Sequence, residues 1–259
     1  MPKACYRRRK MAGRTFAIGD IHGETQHLFR LLSCLPSLDE EDTLVFLGDY
    51  LDRGPHSREV VEYVMSLPTR TKANVVCLRG NHEDAWLRVC QLGWDEFVLP
   101  PGNGCFAAYR SFIGASVPSE GQEPTHADLA AMCKGSFFPE PVVRWLQSLP
   151  HWYEDEHAIY VHAGLPRLGE RFAHPSEVKD PLVLLWIRTE EFFRNYRGKP
   201  VVFGHTRTEF LPQELSSYTP EDPTDLFAGE NAYGVDTGCG HGGFLTALEF
   251  PALRVYESR

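Results

Sequence analysis

One recurrence limits what this chain can fold into: short apolar runs that each end in glycine beside an acid, an amide or a histidine. Thr15-Phe-Ala-Ile18 runs into Gly19-Asp20-Ile21-His22-Gly23, and Leu44-Val-Phe-Leu47 into Gly48-Asp49-Tyr50-Leu51-Asp52-Arg53-Gly54. Val75-Val-Cys-Leu78 is followed by Arg79 and then Gly80-Asn81-His82-Glu83. Ala158-Ile-Tyr-Val161 ends at His162-Ala163-Gly164, and Val201-Val-Phe203 at Gly204-His205-Thr206. Runs of this length read as buried strands. Between the first ones lie helical stripes: Leu28, Leu31, Leu32 and Leu35 before a stop at Pro36, then Val60, Val61, Val64 and Met65 behind Ser57 as the expected N-cap. Strand alternating with helix through short joints implies parallel strands with right-handed crossovers, an α/β class. The later runs Tyr233–Val235, Phe244–Phe250 and Leu253–Tyr256 lack helical connections and are expected to pair antiparallel.

In an open α/β sheet the carboxyl ends of the strands converge on one crevice. The five motifs would then bring Asp20, His22, Asp49, Asn81, His162 and His205 together. Unpaired carboxylates in one crevice repel one another and are costly to desolvate. A pair of divalent cations removes the conflict: Asp49 bridges, Asp20 and His22 complete one centre, and Asn81, His162 and His205 complete the other. Oxygen and nitrogen donors without thiolate suit manganese, with iron and zinc as alternatives, in a catalytic site. Two such ions activate water and clamp a phosphoryl group.

Composition narrows the setting. At 259 residues the chain has length for one large domain, read here as residues 14–259 behind a flexible basic tail over residues 1–13. Residues 93–156, rich in glycine, proline and aromatics, break the strand–helix rhythm and read as an insertion or cap over the sheet edge. The net charge of −9 argues against a nucleic-acid partner. The longest apolar run, Leu182–Ile187, is too short to span a membrane. Seven cysteines without a CxxC pair fit reduced thiols and a cytoplasmic location. Oligomeric state is not legible.

Taken together, GDIHG, GDYLDRG, GNHE, HAG and GHT resemble the phosphoprotein phosphatase family of metallophosphoesterases, in its bacterial and phage, lambda phosphatase-like branch. The resemblance runs from about Phe16 to Phe250 and is loose between Asp84 and His157. It implies the calcineurin-like fold, a central mixed β-sandwich flanked by helices, and the two-metal ligand sets just given. It further implies His82 as general acid with Asp52 as its orienting partner, and Arg53, Arg79 and Arg188 as grips on the substrate phosphate. The activity it implies is a phosphomonoesterase, foremost a protein serine/threonine phosphatase that could also accept phosphotyrosine, with direct attack by a metal-bridging hydroxide. The alternative is a symmetrical diadenosine tetraphosphate hydrolase of the same family, and a third reading is an inactive relative that binds phosphoproteins. The partner is accordingly a phosphoprotein or a phosphorylated small molecule. Glu83 in GNHE and the complete Asp52-Arg53-Gly54 favour the phosphatase. Asn103-Gly104-Cys105 matches only in part the Asn-Gly-Gly loop that bacterial members carry over the site.

Overall fold

The computed structural model describes residues 13–119 and 121–259, so the basic tail expected at the N-terminus lies, except for Gly13, outside the described residues. The chain runs β1 (Thr15–Ile18), α1 (Thr25–Cys34), β2 (Thr43–Phe46), α2 (Ser57–Ser66), β3 (Asn74–Cys77) and α3 (Asn81–Leu92). Four helices follow: α4 (Asp95–Val98), α5 (Cys105–Phe112), α6 (His126–Met132) and α7 (Glu140–Ser148). Next come β4 (Trp152–Glu154), β5 (Ile159–Val161), the small hairpin β6 (Arg167–Leu168) and β7 (Arg171–Phe172), α8 (Val183–Trp186) and α9 (Glu190–Asn195). The chain finishes with β8 (Val201–Phe203), β9 (Phe227–Ala228), β10 (Ala232–Gly234), β11 (Thr246–Phe250) and β12 (Arg254–Glu257).

Two five-stranded sheets result, ordered β12-β11-β1-β2-β3 and β4-β5-β8-β10-β9. Strict alternation along the strands explains why they stack. Ala17, Val45 and Leu47 of the first sheet meet Tyr160, Val202 and Val235 of the second in one buried cluster. The residues between them, Phe16, Ile18, Leu44 and Phe46, point to the other face and pack under α1, α2, α3 and α7. Ile159, Val161, Val201 and Phe203 face outward beneath α8 and α9. The result is a mixed β-sandwich with helices on both outer faces, as the sequence resemblance implies. Each fully buried side chain of this size contributes ~1.5–3 kcal/mol.

Several local expectations are corrected. Ser57 is the first residue of α2 rather than its cap; its hydroxyl accepts the Asp52 N–H at 3.0 Å and so serves the loop that carries Asp52 and Arg53. The strand at Tyr233 pairs parallel with β8 as well as antiparallel with β9, because a glycine-rich turn, not a hairpin, leads from it to β11. The irregular stretch over residues 93–156 contains more than a cap. Met132, Phe138, Val142 and Leu146 belong to the main core under the first sheet, and Trp152–Glu154 is the edge strand of the second sheet, too short to show a period. Among the described residues no helix is long and apolar enough to cross a membrane.

Candidate metal centre

β1, β2 and β3 run parallel to one another, as do β5, β8 and β10, so their carboxyl ends open on the same side of the sandwich. There the structure gathers Asp20, His22, Asp49, Asn81, His82, His162 and His205, all buried. Asn81 and His82 are the first two residues of α3, so the helix start presents both side chains to the crevice. Five residues here, His22, Asp49, Asp52, Arg53 and His205, adopt positive φ between 46° and 70° without being glycine. Such conformations persist only where surrounding structure enforces them, and they concentrate at functional sites.

Asp49 stands between two sets of donors. Its Oδ2 lies 3.4 Å from Nε2 of His22 and 3.9 Å from Nε2 of His82, while its Oδ1 lies 3.5 Å from Nε2 of His162. Backbone carbonyls fix the imidazoles: Nδ1 of His22 meets the Leu51 oxygen at 2.8 Å and Nδ1 of His162 the Leu47 oxygen at 2.9 Å. With Nδ1–H donating, each Nε2 turns a lone pair to the crevice. Asn81 Oδ1 lies 2.8 Å from both His162 Nε2 and His205 Nδ1. With Nδ1–H of His162 on the Leu47 carbonyl, its Nε2 and the Asn81 oxygen turn lone pairs toward each other, a pair of donors that suits a cation.

Two three-donor groups thus share Asp49: His22, Asp49 and His82, and Asp49, His162 and His205. Asp20, expected beside His22, belongs to neither. Its Oδ2 accepts the His205 N–H at 3.0 Å, and its Oδ1 is buried without a partner. Burial, then the charges of Asp236 and Asp49, raises its pKa well above its ordinary value. The free Oδ1 is what a ligand atom looks like before its ion, and the set as a whole fits two divalent cations. Arg53 makes the same point: its guanidinium already reaches Nε2 of His22, the nitrogen a metal would use.

Titration follows the same logic. Burial, then the charge of Arg53, pushes His22 far below its ordinary value; burial and the neighbouring His162 do the same to His205. Asp49 behaves oppositely: burial would raise it, but His162, His82 and His22 outweigh that and keep it ionised. For His82 burial is likewise overcome, by Asp49 and by a 2.6 Å hydrogen bond from Nδ1 to Asp52, so its pKa rises. Asp52 is held in turn by the Trp86 indole N–H at 2.9 and 3.0 Å. The protonated form of His82 is thus favoured, on a ring that Asp52 orients.

The arginines divide. Arg188 reaches the cluster, its Nη2 3.2 Å from the His205 carbonyl oxygen. Arg53 lies within it. Arg79 is not bonded to the cluster: its guanidinium meets Asp84 at 3.4 Å and the Gln147 carbonyl at 2.8 Å, tying the start of α3 to α7, while its Nε is buried without a partner among the described residues. The loop at Asn103-Gly104 does lie over the site, with Gly104 so close to the Arg53 backbone that a Cβ would fall 2.2 Å from its nitrogen. Cys105 beside it is buried, which pushes its thiol far above its ordinary value and leaves it inert.

Two residues near the site carry no site role in the sequence reading. Asp236, in the short Asp-Thr-Gly after β10, is buried, acts on Asp20 through its charge, and has its pKa raised to about 6 by burial; that motif is weak alone and persuasive only in company with the others. Glu83, read from sequence as favouring the phosphatase, has a structural task. Its carboxylate accepts the N–H groups of Asp49 (2.8 Å), Tyr50 (2.9 Å), Gly80 (3.0 Å) and Leu51 (3.3 Å) and so packs the backbone around Asp49.

Comparison with known proteins agrees with this geometry. Residues 13–208 match the family model described as calcineurin-like phosphoesterase. The asymmetrical bis(5'-nucleosyl)-tetraphosphatase PrpE of Bacillus cereus is 26% identical over 272 residues, covering 91% of this chain and 90% of the relative. Among solved structures, a protein provisionally named a diadenosine tetraphosphatase aligns with a TM-score of 0.57 at 21% identity, over 96% of this chain and 94% of that one. A cold-active protein-tyrosine phosphatase of a psychrophilic Shewanella aligns with a TM-score of 0.53 at 18% identity, over 91% and 75%.

Proposed function

The chain belongs to the calcineurin-like phosphoesterases and is a phosphoric ester hydrolase, and from that premise we propose a two-metal enzyme that prefers a dinucleoside tetraphosphate. The observation that carries the two-metal reading is the split of Asp49, one oxygen toward His22 and His82 and the other toward His162. In this reading His22, Asp49 and Asp20 hold one ion, and Asp49, Asn81, His162 and His205 the other. Manganese is the proposed metal, with iron and zinc suited to the same donors. Bound there, the ions would supply charge neutralisation and an activated water.

The chain's own residues do the rest. Arg53 and Arg188 grip the phosphoryl oxygens and orient phosphorus, a task suited to planar guanidinium donors. His82 gives its Nε2 proton to the leaving oxygen, while Asp52 keeps Nδ1–H occupied and the ring aligned. Arg79 stays a structural tie between α3 and α7.

What supports the substrate reading is that the tetraphosphatase relative is matched along nearly its whole length. The test is a parallel measurement of kcat/KM on diadenosine tetraphosphate and on a phosphothreonine peptide, with manganese. A preference of about tenfold or more for the dinucleotide is expected. A preference for the peptide would restore the phosphatase reading, and no turnover of either would remove both.

A further inference from the structure

A cavity of about 480 Å³ opens next to the metal crevice, within the ~300–1,000 Å³ range of small-molecule sites. Only one backbone turn separates the two. Gly238 donates its N–H to Asp236 at 3.0 Å on the crevice side. Gly240 sits so tightly on the His22 ring that a Cβ there would fall 2.5 Å from the His22 Cβ. The next residues, His241, Gly242 and Gly243, form the cavity wall, and a Cβ on Gly242 would meet nothing within 4 Å. Arg207, two residues past His205, stands at the junction, where its charge acts on both Asp236 and His241.

The far side of the cavity is poorly suited to an anion. Arg207 is paired with Glu209 at 2.9 Å, and Arg259 with Asp222, Asp225 and Glu257 at 3.1, 3.2 and 2.8 Å, two cations against four carboxylates. Arg259 instead lies 4.0 Å from the centroid of the Phe244 ring, and the cavity meets this neutralised, delocalised plane. Such a plane stacks on a flat heterocycle. Thr224, exposed on the rim, donates its hydroxyl to Asp222 at 2.6 Å and keeps the oxygen's lone pairs for a sugar hydroxyl.

We propose that this cavity is a nucleoside subsite: it takes the base and ribose of a nucleoside 5'-phosphate whose phosphate lies in the metal crevice. The proposal deepens the substrate assignment above and rests on the phosphohydrolase reading of that crevice. A phosphopeptide is the poorer occupant, since the four carboxylates repel acidic sequence and the neutral stacking plane offers an extended backbone little.

The test uses manganese-loaded full-length protein and two probes, adenosine 5'-monophosphate and inorganic phosphate. Calorimetry reads their affinities directly, and inhibition of p-nitrophenyl phosphate hydrolysis reads them at the active site. The monophosphate is expected to bind at least about tenfold more tightly than phosphate. Thr224→Trp, which fills the cavity from an exposed rim position, should weaken the monophosphate about tenfold while phosphate moves less than about twofold. Thr224→Ser, which keeps the hydroxyl and the space, should bind both as the parent does. Equal affinity for the two probes, or equal loss of both in Thr224→Trp, would overturn the subsite. So would a phosphoserine peptide that binds as tightly as the monophosphate and is equally sensitive to the substitution. Absence of any p-nitrophenyl phosphate turnover would strike the phosphohydrolase reading instead, and the calorimetric comparison would still decide the cavity.

Discussion

Replacing Glu83 by glutamine tests how the bridging carboxylate is held. The Glu83 Oε2 accepts from Asp49 and Gly80, at 2.8 and 3.0 Å, and Oε1 from Tyr50 and Leu51, at 2.9 and 3.3 Å. In Glu83→Gln one of these oxygens becomes an amide NH2 whichever way the group is turned, so two buried N–H donors face a donor. At ~1–3 kcal/mol for each unsatisfied group, the gross loss is about 2–6 kcal/mol. Part is offset, because burial and then the charge of Asp49 raise the Glu83 pKa to about 8, and the neutral amide is easier to bury. A net loss of about 2–4 kcal/mol is expected, a fall in melting temperature of about 5–15 °C for a domain of this size. The melt should be followed in EDTA, so that lost metal affinity does not enter. A melting temperature within about 1 °C of the parent would refute the reasoning. Glu83→Asp adds a second arm: the shorter side chain keeps both oxygens but withdraws them, so an intermediate loss of stability is expected with no change in substrate ratio. If instead it altered the ratio of dinucleotide to peptide hydrolysis at unchanged stability, Glu83 would be a substrate contact after all.

Asp49→Asn should lower bound manganese from two ions to well below one, measured by elemental analysis after gel filtration; retention of both would contradict the bridging role. Asp52→Asn, which leaves the Trp86 indole a partner but weakens the hold on His82, should slow hydrolysis of alkyl phosphates ~10²–10⁴-fold and p-nitrophenyl phosphate far less, since that leaving group needs little protonation. Equal losses on both would argue against His82 as the acid. Asp42 anchors the chain start by accepting Arg14 Nε at 2.9 Å and Nη2 at 2.5 Å. Burial would raise its pKa, but these bonds and the Asp39 N–H outweigh it and hold the value below 3.8. Its stabilisation is therefore complete above the ordinary carboxylate value and lost as pH falls through the lower folded one. Urea titrations should show Asp42→Asn destabilised at pH 7 by about 1.5–3 kcal/mol, with the gap closing only in strong acid; a gap that closes near neutrality would refute this.

What was legible in the sequence was whatever a short segment can express alone. Strand tips ending in glycine and a polar residue pointed to Asp20, His22, Asp49, Asn81, His162 and His205, all of which the structure buries at one crevice, though Asp20 stands in neither three-donor group. Trp152–Glu154 was lost inside a longer irregular stretch because three residues carry no period. The expected antiparallel pairing of Tyr233 holds only with β9; its parallel partner β8 lies about thirty residues earlier, and no local pattern expresses that pairing. Arg79 looked interchangeable with Arg53 because both follow a strand next to a motif. Only packing shows that one guanidinium meets Asp84 and the Gln147 carbonyl while the other reaches His22.

The largest gap lies in the backbone of the site, where local preference points the wrong way. His22, Asp49, Asp52, Arg53 and His205 occupy a region that costs a non-glycine residue of order 1–3 kcal/mol each when sparsely populated conformations are enforced. Asp and His tolerate that region better than most residues but do not announce it, because the compensation comes from elsewhere: Glu83 gathers the N–H groups around Asp49, Ser57 takes that of Asp52, and Asp20 that of His205. The ligands are thus held by acceptors that are not themselves bridging ligands, or that act on a different strand tip. That arrangement makes asparagine the informative replacement at Asp49. It tolerates the left-handed region nearly as well as aspartate does, so metal lost from Asp49→Asn reports the missing charge. A β-branched residue there would also unseat the loop, and the two causes could not be told apart.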